Sequence, residues 1–151
     1  MSELKPLEDA VSANMGRLLH GSEDEARDAV DRMLFPADTT ALFGTLCGLF
    51  ATVAGEALKE HRASLPPGPA RGAPFGMLAP AGMDLPSRTA AQLVTASAND
   101  DRPTVMALLR AALSWQEWEL EAKLAARLAL HARMMHQSIC DDVTRDLEGG
   151  A

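Results

Sequence analysis

The stretch Thr39–Gly55, TTALFGTLCGLFATVAG, carries no charged side chain and is bounded by Asp38 and Glu56. A surface helix keeps a polar face, and this stretch offers none built from ionisable groups. The expectation is therefore that something covers it on every side: the rest of the fold, a second copy of the chain, or a membrane. A bilayer fits it poorly. A spanning helix needs about 20 mainly apolar residues, with basic or aromatic anchors at its ends. This run is shorter, contains Thr39, Thr40, Thr45 and Thr52, and has no such flank. A central helix of a water-exposed fold is the better reading. Gly44 and Gly48 form a GxxxG pair inside it. Glycine in a helix interior costs about 1 kcal/mol relative to alanine, so the pair implies a closely packed neighbouring helix. Symmetric dimers are the commonest assembly, and the neighbour is expected to come from a homodimer or from the chain itself.

The remaining sequence supports helices throughout. Hydrophobic residues make up 47% of 151, tyrosine is absent, and only four Phe and two Trp occur. The core must come from Leu, Ala, Val and eight Met, a palette of strong helix formers. Leu7, Val11, Met15 and Leu18 recur at helical spacing after Pro6, and His20-Gly21 ends that helix. Ser22 and Glu25 form a capping box for the next, which Phe35-Pro36 breaks. Asp38 is expected to cap the third helix. Ser87 is expected to cap a fourth, Pro103 to open a fifth, and Ser114-Trp115-Gln116-Glu117 to be a capping box for a long last helix. The stripe Leu120, Leu124, Leu128, His131, Met135 and Ile139 runs along that last helix.

The chain is thus expected to be an all-α single domain, 1–151, a helical bundle of five to six helices. They span about 6–19, 23–35, 39–63, 88–98, 103–113 and 115–147. The third helix is central and buried, and the long C-terminal helix runs alongside it, roughly antiparallel. Residues 65–86 interleave Pro66, Pro67, Pro69, Pro74, Pro80 and Pro86 with four glycines, a density that excludes helix and strand. Phe75, Met77, Leu78, Met83 and Leu85 make the segment apolar, as expected of a strap or lid that packs onto a surface.

Composition narrows function more by exclusion. The formal net charge is −7 and the basic residues are scattered among acids, so nucleic-acid binding is not expected. The start MSELKPLEDA lacks an apolar signal-peptide core, and Cys47 and Cys140 are far apart in sequence, so a cytoplasmic protein with reduced thiols is expected. No phosphate-cradling loop, nucleophile elbow or zincin motif is present. The expectation is a non-enzymatic protein without a cofactor that acts through protein–protein association, as a homodimer or with another protein partner. Leu42, Phe43, Leu46, Gly48, Phe50 and Val53 are its candidate packing face, and Phe75, Met77, Leu78 and Trp118 its candidate partner contacts.

The alternative is a small-ligand or metal-binding bundle whose pocket lies between the central and C-terminal helices, under the Pro-rich segment. His131 and Met135 would line it. His136 and Cys140, four apart on one helical face, have the spacing of two zinc ligands. His20, His61 or a symmetry mate would have to complete the set. The plainer readings are a buried neutral histidine for His131, and a polar histidine with a half-buried thiol for His136 and Cys140.

Overall fold

A computed structural model describes residues 4–64, 75 and 82–149, with side chains described up to Ser138. It is an all-α bundle with six helices and no strand among the described residues. These are α1 (Leu4–His20), α2 (Glu23–Leu34), α3 (Thr40–Ala63), α4 (Leu85–Ala98), α5 (Arg102–Leu113) and α6 (Trp118–Gly149).

Helix ends follow local chemistry. The Ser22–Glu25 capping box is complete, with each side chain bonded to the other residue's backbone N–H. Three ends differ from the expectation. Thr39, not Asp38, caps α3, its hydroxyl accepting from the Leu42 N–H. Asp84, not Ser87, caps α4, because proline is tolerated in a first helical turn and the helix starts ahead of Pro86. The Ser114 box does not form. Ser114 instead closes α5, its hydroxyl donating to the Ala111 carbonyl. Gln116 then takes a left-handed conformation, φ 54°, and α6 begins at Trp118.

The helices assemble around α3, whose most extensive contact is with α6. The two helices run in the same direction, not antiparallel. The Phe43 and Trp118 rings lie 6.3 Å apart, and Glu121 acts electrostatically on Cys47, so N-terminal turns meet N-terminal turns. Helices in extensive contact that share an N-terminal end must be parallel. The reversal is made by α5, which returns along α3 with Leu113 at Gly44 and Leu109 at Gly48. α1 and α2 form a hairpin bridged by Arg17 of α1 on the Asp28 carboxylate of α2 at 2.8 Å, which Arg32 of α2 also pairs, at 2.7 Å. That hairpin docks on α6, where the Arg133 guanidinium donates to the Leu18 carbonyl at 2.8 Å.

Phe50, Leu46, Met33, Leu18, Leu93, Leu124 and Leu128 are the largest fully buried side chains. Polar groups inside are satisfied: buried Asn14 donates to the Ala10 carbonyl, and no buried side-chain donor or acceptor among the described residues lacks a partner.

Candidate functional site

The charge-free run is not covered on every side. Its core face, Leu42, Phe43, Leu46, Cys47, Phe50, Ala51, Ala54 and Gly55, is buried within the chain. The opposite face, Thr40, Ala41, Thr45 and Thr52, is exposed. Two threonines of that face bond their own helix. Thr45 donates to the Ala41 carbonyl at 2.9 Å and Thr52 to the Gly48 carbonyl at 2.8 Å. With the hydroxyls turned inward, the surface left is methyl and backbone. α3 is the one described helix long and apolar enough to cross a membrane, and half of its most apolar window is buried in this bundle.

This face forms one wall of an open groove of about 710 Å³ whose other wall is α5. Gly44 and Gly48 make its floor, where α5 leucines approach them. A β-carbon at Gly44 would lie 3.3 Å from a Leu113 methyl, and one at Gly48 would lie 3.8 Å from a Leu109 methyl. α5 itself is thinly buried. Ala112 is its one buried residue, Val105 and Leu109 are half-buried, and Met106 is 43% exposed. Charges sit at the groove's ends. Glu56, Asp100, Asp101 and Arg102 line one end and Arg110 lies toward the other. Lys59 bridges Glu56 and Asp100 behind the acidic end.

A second groove, about 640 Å³, lies between α2 and α6. Arg27, Lys123, Arg127 and Arg133 line it, against Glu23 and Asp31, and the buried Leu18, Ala26 and Ala129 are among its apolar lining. Two of its cations hold the fold: Lys123 pairs with the Asp84 cap and Arg133 with the Leu18 carbonyl. The Lys123 ammonium, and after it Ser87, keep the Asp84 carboxyl well below the usual carboxylate range.

The structure distributes the sequence candidates as follows. Leu42, Phe43, Leu46 and Phe50 pack inside the chain, Val53 is half-buried against that core, and Gly48 faces the α3/α5 groove. Trp118 is 56% exposed at the head of α6. Phe75 is tied down at the shared end of α3 and α4. The Arg62 guanidinium lies 3.5 Å over its ring, and the Asn99 side chain bonds both its N–H and its C=O. Met77 and Leu78, and with them the choice between strap and lid, lie outside the described residues, as does the Cys140 side chain. The space between α3 and α6, expected to hold a pocket, is where the buried side chains of both helices meet, and the two grooves open elsewhere. His131 is half-buried, and burial, then Arg127, pushes its imidazole pKa down. Met135 is also half-buried.

Two groups were brought together as the spacing of His136 alone did not say. The imidazoles of His20 and His136 meet edge to face, centroids 4.8 Å apart with 75° between planes. No set of three or more His, Cys, Asp or Glu poised for a metal occurs among the described residues.

Cys47 is structural. Burial, then the nearby Glu121 charge, pushes its thiol from 9.0 to about 12. Because the folded value is raised, the contribution of the neutral thiol to stability is complete below about pH 9 and is lost as pH rises toward 12. Cys47 in a Cys140→Ser background should therefore resist a thiol-specific reagent at neutral pH and react fully in denaturant. Stability measured by denaturant titration should fall steadily above pH 9. Rapid labelling of the folded protein would show that the thiol is accessible after all.

Compared with protein-family models, with curated proteins and with solved structures, the chain matches none.

Proposed function

We propose that this chain is a non-enzymatic, cytoplasmic helical protein that acts by association, with a second copy of itself as the first partner and the α3/α5 groove as the contact. The observation that carries the reading is the open face of α3: an uncharged stripe of small residues, Ala41, Thr45, Gly48 and Thr52, beside the exposed Met106. Small residues let a second backbone come close, and the inward-bonded hydroxyls lower the cost of removing water. The charge layout favours a twin over an unrelated helix. In an antiparallel two-fold pairing, Arg110 of each copy approaches the Glu56–Asp100–Asp101 end of the other, which stays acidic even beside Lys59 and Arg102. An isologous contact of this kind satisfies both ends at once.

The test is size-exclusion chromatography with light scattering on the full chain and on Thr45→Glu and Met106→Glu. Both side chains are exposed in the monomer, so the helical circular dichroism of the variants should match the parent. A carboxylate placed without a partner in the contact costs about 2–5 kcal/mol, a weakening of roughly 30-fold to several thousandfold. The parent should elute as a dimer and both variants as monomers. A parent that remains monomeric at its highest soluble concentration overturns self-association through this face.

A further inference from the structure

Three features lie outside the α3/α5 groove and have no part in association: the basic α2/α6 groove, the buried Cys47 thiol, and the histidine pair joining α1 to α6. Two cations of the groove are already engaged in holding the fold, and the thiol is inert. The histidine pair is the place where chemically competent groups from separate helices converge.

The geometry points to a binding site for a divalent transition-metal ion, zinc in the first instance, held between His20 and His136. Neutral imidazole is a ligand for such ions, and the ring separation suits a shared one. With Zn–N bonds of about 2.0–2.1 Å and a near-tetrahedral angle, two imidazole centroids on one ion lie about 5 Å apart. The observed separation is 4.8 Å. The rings now meet edge to face, so taking up an ion requires them to turn until a nitrogen of each points at it.

The backbone supports are already set. His20 is the last residue of α1, and the Arg133–Leu18 bond fixes that end of α1 to α6 about one turn from His136. A helix C-terminus favours a cation through the helix dipole, and His20 sits at such an end, although the Arg17 and Leu18 carbonyls there are already engaged. His20 is exposed and His136 half-buried, which leaves an entry path and open positions for water. The fixed positive charge of Arg133 works against the ion, so the site should be of moderate affinity. In sequence, Cys140 follows His136 by four residues; the site as proposed does not require it. An ion bound across α1 and α6 in the folded chain alone would act as a staple, raising thermal stability as it saturates.

The test uses the full chain, stripped with chelator and titrated with zinc sulfate by calorimetry, alongside thermal melts. The expected result is one zinc per chain and a melting temperature that rises and levels off. His20→Ala and His136→Ala should each weaken binding about tenfold or more, and His61→Ala should leave it unchanged. His20→Gln keeps a polar side chain at the same exposed helix end and should behave as His20→Ala, which separates lost ligation from lost folding. Unchanged zinc binding in His20→Ala and His20→Gln, or no saturable uptake by the parent chain, overturns the site.

Discussion

Replacing Phe50 with alanine should destabilise the fold by about 3–5 kcal/mol, a shift in melting temperature of roughly 6–20 °C for a domain of this size. Phe50 heads the fully buried side chains by size. It lies in the middle of α3, the helix that meets α4, α5 and α6. The loss has two parts: the transfer free energy of the ring, and the cavity left because the neighbouring core is held on separate helices, with Leu93 on α4 and Leu124 and Leu128 on α6, and collapses into the space only in part. Against a typical total of about 5–15 kcal/mol, this is a large fraction. Thr52→Ala, two residues on, is the control. Thr52 is exposed and its hydroxyl bonds only its own helix, so the change should stay within about 0.5 kcal/mol. Urea unfolding of both variants measures the difference. Equal midpoints would mean that α3 is not the core helix.

The helical class was legible because three independent signals agreed: an Ala/Leu/Met palette, apolar spacing of three and four, and the Ser22–Glu25 box. The helix ends were less legible for a local reason. Asp38 and Thr39 are adjacent and both are good caps, as are Asp84 and Ser87 across a proline, and spacing alone does not choose between them. Ser114 was misread because serine serves either end of a helix. The deciding element, a left-handed Gln116, carries no glycine to announce it. The parallel course of α3 and α6 could not be read from periodicity, which identifies a buried face but not the direction of the helix it meets. The open face of α3 was written in the sequence in a form easily passed over. Ala41, Thr45, Gly48 and Thr52 recur at steps of four, three and four, so small and hydroxyl residues share one side. The absence of charge says nothing of that stripe, because a threonine bonded to its own helix is polar in name and methyl-like at its surface. The histidine pair depends on α1 returning to α6, a contact made far apart in sequence.

The second large effect separates two glycines on the same helix. Gly55→Leu should destabilise by about 3 kcal/mol or more, whereas Gly48→Ala should stabilise by about 0.5–1 kcal/mol. A β-carbon on Gly55 would lie 2.8 Å from the Ser97 hydroxyl and 3.0 Å from the Ala98 backbone nitrogen. Side chains can rotate away from such a contact, but the backbone of α4 cannot move without disturbing its packing against α3 and α6. Leucine adds three further carbons at a position already buried. Gly48 faces the groove, where the nearest atom is a Leu109 methyl at an ordinary contact distance of 3.8 Å. There, alanine removes the backbone-entropy cost of a helical glycine without creating a clash. Among the glycines of α3, the closest approach of a neighbouring helix is therefore at Gly55 with α4, and not at the GxxxG pair, where Gly48 keeps ordinary contact distance. Denaturant titration of the two variants should move the midpoints in opposite directions with unchanged slopes. Destabilisation by Gly48→Ala comparable to that of Gly55→Leu, and independent of protein concentration, would mean that the groove is closed in solution by the chain itself, and would remove the face on which the proposed self-association depends.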